Sequence, residues 1–296
     1  MICYQSGSKI LINDLQFLTG GGGTNTAVSF ARLGLKTAYL GHLGDDENGH
    51  KVLRELKREK VGFIGTVGKE QTNYSIILDS IEHDRTILAY KEASDNLRWA
   101  DIPKGKLKAE WFYISSMMGE SYRTVERLVQ YARQAGIRVA FNPSEYQAKQ
   151  GAKKLQPVLS RTDVLVLNRE EAALLLGMRP EDDIKALLLG LYKSGPSIAV
   201  ITEGPKGAHA CDGKRMWYIP ARKVRVLEST GAGDSFASAF VAGIIKGHGI
   251  GDALKLAITN AESVVQAYGA KPGLLSMAEA RRLVRSRPPR VVETKI

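Results

Sequence analysis

The sequence predicts an α/β protein with a mostly parallel central sheet, helices on both faces and a small β-sheet appendage. Three observations support this. From residue 24 onward, helix-like segments alternate with short apolar strands, the arrangement such a sheet requires. Two glycine-rich segments, at 20–23 and 231–233, run directly into helix-like stretches. The stretch 63–91 breaks the alternation with successive strands joined by polar turns.

In chain order, helices are expected at 25–33, 48–60, 122–134, 169–176, 232–246, 252–268 and 277–285. Core strands are expected at 37–41, 111–115, 138–141, 164–167 and 198–202. Residues 64–67, 72–79 and 85–90 read as an antiparallel patch, and 9–12 and 15–18 add to it. The division is a core of 18–62 and 92–296 carrying a β lid made from 1–17 and 63–91.

With 296 residues, 44% hydrophobic and 25% charged, the composition is that of a folded globular chain rather than a disordered one. No apolar run reaches the ~20 residues of a membrane-spanning helix, and the start, MICYQSGSKILIND, lacks a signal-peptide pattern, so a soluble cytoplasmic protein is expected. Cys3 and Cys211 are too few for a disulfide framework or a cysteine-rich zinc site. The five histidines, at 42, 50, 83, 209 and 248, show no metal-ligand spacing. The net charge of +11 raises nucleic acid or an anionic small substrate as a partner. The basic clusters KGKLK (104–108) and ARRLVRSRPPR (280–290) carry no interleaved aromatics, so a solvated helix face and tail is the simpler reading.

The second glycine segment, Glu228-Ser-Thr-Gly-Ala-Gly-Asp-Ser-Phe236, leads into a small-residue apolar run that reads as a buried helix. Free backbone N–H groups and the helix dipole make that terminus a place for anions, and glycine lets a phosphate approach closely. Asp234 in the first turn is either a partner of the helix end or a proton acceptor facing an anion site; alone, the cap is the simpler reading. The first segment, GGGGTNTAVSFARLG at 20–34, again passes from glycines into a helix, with Asn25 near its start as a cap or a ligand group. A P-loop, a G-x-G-x-x-G fingerprint and a G-x-S-x-G elbow are all absent, which disfavours dinucleotide oxidoreductases and serine hydrolases.

Taken together, these segments resemble the ribokinase-like, or PfkB, family of carbohydrate kinases. The family's G-G-x-G-x-N-x-A pattern matches Gly20, Gly21, Gly23, Asn25 and Ala27, followed by ARLG at 31–34 and G-x-x-G-D-D-x-x-G from Gly41 to Gly49. Its N-x-x-E element matches Asn168 and Glu171, its T-x-G-x-x-G loop matches Thr202, Gly204 and Gly207, and its G-A-G-D signature matches Gly231 to Asp234. The ordered match spans roughly 18–270 and favours the proton-acceptor reading of Asp234 over the cap.

The resemblance implies a three-layer ribokinase-like core with a β lid, and an ATP-dependent kinase for a hydroxyl of a sugar or nucleoside. It implies Asp234 as general base, with the amides of Gly231, Ala232 and Gly233 beside it. Gly21, Gly22 and Asn25 would bind the acceptor, and Thr202, Gly204, Gly207 and Asn260 the nucleotide. Asn168 and Glu171 would organise Mg²⁺. Glu228-Ser229-Thr230 stands where members commonly have Asp-Thr-Thr, which leaves a monovalent-cation requirement open. Members usually open with a buried strand ending in a sugar-gripping Asp, whereas 1–18 offer lid-like strands, and Asp14 lies close to the glycines. A missing first core strand in an N-terminally shortened chain is therefore expected. Two alternatives follow: an idle sugar- or nucleotide-binding relative, and, less favoured, a basic nucleic-acid-associated protein. A homodimer through the lid is a further expectation, since an antiparallel sheet leaves one face to be covered.

Overall fold

The computed structural model describes residues 15–79 and 85–296, together with Gly7, Lys9 and Leu11. The first stretch contains α1 (Gly22–Arg32), β1 (Ala38–Tyr39), β2 (His42–Gly44), α2 (Glu47–Arg58), β3 (Gly62–Phe63), β4 (Thr66–Gly68) and β5 (Tyr74–Asp79). Next come β6 (Arg85–Tyr90), β7 (Trp111–Ile114), α3 (Gly119–Gln134), β8 (Arg138–Phe141), α4 (Glu145–Ala148), α5 (Gly151–Leu159) and β9 (Val164–Asn168). Then follow α6 (Arg169–Leu176), α7 (Ile184–Lys193), β10 (Ile198–Thr202), β11 (Ala208–Cys211) and β12 (Arg215–Ile219). The chain closes with α8 (Ala232–Ile245), α9 (Ile250–Val264), α10 (Met277–Ser286) and β13 (Val292–Lys295).

Seven strands form the central sheet in the order β13-β12-β11-β10-β9-β8-β7. Neighbours from β7 to β10 are parallel, and β11, β12 and β13 continue antiparallel, so five of the seven strands run the same way. In β9 the side chains of Val164 and Val166 point to one face and those of Leu165 and Leu167 to the other, all fully buried. Burial of alternate residues on both faces requires a helical layer on each side. On one side α1, α8, α9 and α10 pack through Phe30, Phe240, Leu254 and Ala280. On the other, α3, α5, α6 and α7 pack through Val129, Leu155, Leu175 and Leu188. This is the expected three-layer core.

Helix α8 is apolar all round and lies wholly inside, from Ser235 to Gly243. Its neighbour α9 comes so close that a Cβ on Gly243 would lie 2.9 Å from the Cβ of Ala253. Asn260 of α9 is fully buried and brackets the same layer: its amide donates to the Ser235 carbonyl at 3.0 Å and accepts from the Leu275 N–H at 3.0 Å.

The expected antiparallel patch is corrected in part. Only β5 and β6 form an antiparallel ribbon, from Tyr74↔Tyr90 to Asp79↔Arg85. Strand β4 instead pairs in parallel with β2, and β3 with β1. Gly65 makes this possible, since any Cβ there would lie 1.9 Å from the Gly41 carbonyl oxygen. Residues 15–18 form no strand, while the strand expected at 9–12 and Asp14 fall largely or wholly outside the described residues. Three helices (α4, α5, α7) and five strands (β2, β3, β11, β12, β13) join the expected elements. The β11–β12 hairpin turns at Asp212-Gly213, where the Asp212 carboxylate accepts from the Lys214 and Arg215 N–H groups. Helix α1 begins at Gly22, three residues before its expected start, which puts Asn25 inside the helix. Among the described residues, no helix is long and apolar enough to cross a membrane.

Replacing Asn260 with Ala removes the acceptor of the Leu275 N–H and a donor to α8, at about 1–3 kcal/mol for a buried group left unpaired. Urea unfolding should show a lower midpoint with an unchanged slope; an unchanged midpoint would contradict the bracket.

Candidate active site

Polar side chains cluster where the parallel strands end: Ser115 after β7, Asn142 after β8, and Asn168 and Thr202 at the last positions of β9 and β10. The N-termini of α1 and α8 meet over these ends. At α1, Gly21 has φ 95°, a conformation that favours glycine, and the helix starts at the next residue. Gly22 is equally constrained, because a Cβ there would lie 2.5 Å from Ser115 Oγ and 3.2 Å from Asp234 Oδ1. The first turn is stitched by side chains: Thr24 Oγ1 donates to the Gly20 carbonyl and Thr26 Oγ1 to the Gly22 carbonyl, each at 2.7 Å.

Asn25 is buried and donates from Nδ2 to Asp234 Oδ2 at 2.8 Å, joining two glycine segments that lie 209 residues apart in sequence. Its Oδ1 is buried without a hydrogen-bond partner among the described residues. The Asp234 carboxylate therefore turns toward another helix, while Gly231, with φ 78° and no side chain to offer, occupies the N-cap of α8. Burial pushes the Asp234 carboxyl above the ordinary carboxylate range, and the Asn25 hydrogen bond and the charge of Lys271 pull it back in part. Nearby, Tyr113 donates to Asn142 Oδ1 at 3.2 Å, and Asn142 donates to the Val166 carbonyl at 2.8 Å. Burial, and then the charge of Asp234, raises the Tyr113 hydroxyl well above its usual value.

Asn168 and Glu171 form a reciprocal capping box on α6: the Glu171 N–H donates to Asn168 Oδ1 at 2.7 Å, and the Asn168 N–H to Glu171 Oε2 at 3.0 Å. Burial raises the Glu171 carboxyl, the Asn168 N–H bond lowers it, and the negative charges of Glu145, Glu170 and Asp234 raise it further. Beyond β10, Gly204 (φ 53°) and Gly207 (φ 105°) turn a loop closed by the Glu203 N–H donating to the Gly207 carbonyl at 2.8 Å. Gly207 tolerates no side chain, since a Cβ would lie 2.0 Å from the Ile219 carbonyl oxygen.

A clamp that the sequence reading missed joins these two elements. Glu203 is held between Arg169, which also donates to the Asp182 carbonyl at 2.7 Å, and His209 Nε2 at 2.8 Å. Neither Arg169 nor Glu203 carries a spacing signal of its own; each is simply the residue beside a motif position. The structure thus brings Asp234, Gly22 and Asn25 into contact and sets Asn168, Glu171 and Thr202 along the neighbouring strand ends. Asn260 does not join them at an open surface, because its amide is used inside the protein. Glu228 also serves internally, with Oε2 accepting from the Gly269 N–H at 2.7 Å.

A Cβ built on Gly20, Gly21, Gly204 or Gly233 would meet no atom within 4 Å, so these glycines border open space. Two helix N-termini opening onto that space suit an anion, and a carboxylate with a raised proton affinity between them suits proton acceptance.

The family model described as "pfkB family carbohydrate kinase" matches residues 1–276. Ribokinase from Bacillus subtilis is 29% identical over 285 residues, covering 95% of this chain and 92% of that protein. Among solved structures, Arabidopsis thaliana ribokinase complexed with ribose and ATP superposes with a TM-score of 0.83 at 21% identity, covering 95% of this chain and 92% of the other. Adenosine kinase from Sinorhizobium meliloti gives 0.80 at 23% identity, covering 90% and 83%. At these identities the structural likenesses show the shared fold.

Because Asp234 binds its proton more tightly in the fold than its ordinary value of 3.8 implies, the stability it contributes is complete below that value and lost as pH rises through the raised pKa. At neutral pH the charged form is therefore a burden. Asp234→Asn should unfold at a higher urea midpoint than the parent at neutral pH, and the gain should shrink as pH falls toward about 4. A lower midpoint for the variant at neutral pH would contradict the shift.

Proposed function

This chain belongs to the pfkB family of carbohydrate kinases, and from that premise we propose that it transfers the γ-phosphoryl of ATP to a hydroxyl of a sugar or nucleoside, with Asp234 as general base. The observation that carries the reading is the 2.8 Å bond from Asn25 to Asp234, which sets a carboxylate of raised proton affinity at the meeting of two glycine-opened helix ends.

In this reading the acceptor lies against Gly21, Gly22 and Asn25. Asp234 takes the proton from the acceptor hydroxyl as its oxygen bonds to the γ-phosphorus and the bond from that phosphorus to the ADP oxygen breaks. The amides of the first turn of α8 face the charge that builds on the transferred group. Of these, the Ala232 N–H is shared with the Ser229 carbonyl at 3.2 Å, which leaves the Gly233 and Asp234 amides as the main donors. Thr202, Gly204 and Gly207 would border the nucleotide, their loop fixed by the Arg169–Glu203–His209 clamp.

Mg²⁺ bound with ATP would neutralise phosphate charge. Asn168 and Glu171 fit it as oxygen ligands already oriented by their capping box. Burial is the largest cause of the raised Glu171 carboxyl, and the neighbouring negative charges that add to it are what a cation relieves. The β5–β6 ribbon exposes Tyr74, Ile76, Leu88 and Tyr90, which supports its reading as a lid that covers the acceptor or pairs with a second copy.

Relatives named ribokinase, fructokinase and adenosine kinase keep both sugar and nucleoside acceptors open, so D-ribose, D-fructose and adenosine form the test panel, read by ADP release. At least one should be phosphorylated, and Asp234→Asn should lower its turnover by ~10²-fold or more, as loss of a general base does. Failure with all three, or near-normal turnover of the variant, would contradict the proposal.

A further inference from the structure

Lys271 is 4% exposed and lies outside every motif of the sequence; in the site described above it enters only through its charge, which lowers the proton affinity of Asp234. All three of its ammonium protons have acceptors: Glu55 Oε2 of α2 at 2.9 Å, the Thr19 carbonyl at 2.9 Å and Thr19 Oγ1 at 3.2 Å. Thr19 Oγ1 in turn donates to the same Glu55 oxygen. Thr19 is the residue immediately before the run Gly20–Gly23.

The segment that carries Lys271 is fixed to the other half of the site. A Cβ on Gly231 would lie 2.4 Å from the Cβ of Ala270, and the Gly269 N–H is held by Glu228 at 2.7 Å. From α1, Arg32 donates to the carbonyls of Lys271 at 2.9 Å and Leu274 at 3.0 Å, and it forms a two-bond pair with Glu59. The lysine therefore sits between the backbone of the first glycine run and the N-cap of α8.

A buried ion pair is a poor source of net stability, because desolvation offsets its attraction, but it can fix one arrangement of the groups it joins. Burial lowers the Lys271 ammonium, and the hydrogen bond and charge of Glu55, followed by the charge of Asp234, oppose that shift.

We propose that Lys271 is a positioning residue: by holding Thr19 against the 269–275 segment it sets the Gly20–Gly23 run at its working distance from Gly231–Asp234, and so governs acceptor binding. Its role in acceptor binding rests on the kinase reading; its hold on the glycine run does not.

The test uses the double variant Lys271→Met/Glu55→Gln, which removes both charges and leaves no buried ion unpaired, compared with Glu55→Gln, which keeps both Lys271–Thr19 bonds. By hydrogen exchange, amides of 19–25 in the double variant should exchange roughly tenfold faster or more, with 202–207 unchanged and a clearly smaller increase in Glu55→Gln, which takes the counter-charge from the ammonium but keeps its bonds to Thr19. For whichever of D-ribose, D-fructose and adenosine the parent phosphorylates, the acceptor KM should rise roughly tenfold while the ATP KM stays within about twofold. Unchanged exchange at 19–25, faster exchange across the whole chain, or the same effect from Glu55→Gln alone would overturn the inference. So would an unchanged acceptor KM. If the parent phosphorylates none of the three, the kinase reading fails, and the exchange comparison still decides whether Lys271 holds the glycine run.

Discussion

The hydrogen bond between Asn25 and Asp234 is the interaction on which the site depends. It joins helices whose sequences lie 209 residues apart, and it does so at their N-termini, where free amides and the helix dipoles gather. One carboxylate oxygen is committed to Asn25, and the other lies beside Gly22. Without that bond the burial of Asp234 would favour its neutral form more strongly; with it, the group keeps a raised but reduced proton affinity.

The bond forms only because small residues let the elements approach. Gly22 leaves room for Ser115 and Asp234, Gly231 for Ala270, and Gly243 for Ala253. Asn260 then ties α8 to the segment after α9, and Ser238 Oγ links α8 to Ser29 of α1 at 2.7 Å. The core thereby presents its first-turn amides along one line of strand ends, and the Arg169–Glu203–His209 clamp does the same for the loop after β10. Rigid packing beneath a polar rim is what allows a shared fold to carry a positioned reaction.

Much of this was legible in the sequence, for reasons that can be named. The run after Gly231 is too apolar to be anything but a buried helix, and β9 and β10, apolar up to their last residues, read correctly as strands covered on both faces. The pairing partner of β4 was not legible, because a three-residue strand has no periodicity to separate a parallel crossover from a hairpin. The β11–β12 hairpin carried an Asp-Gly turn signal that the reading passed over. At the site, Asn-x-x-Glu is at once a capping box and a ligand pair, and the same four residues spell both. Asn260 looked available on a helix because sequence does not reveal that both ends of its amide are used in the interior. Lys271 had no signal at all, since its partners Glu55 and Thr19 meet it only through tertiary packing.

The central claim is that Asp234 accepts the proton while Asn25 tunes it, and the pH dependence of kcat/KM tests this most directly, because it reports the free enzyme's essential base. The acid limb of the parent should lie above the ordinary aspartate value of 3.8, and Asn25→Ala should move it to still higher pH, since a hydrogen bond favouring the carboxylate is lost. A limb that stays in place in Asn25→Ala, or moves to lower pH, would contradict the account.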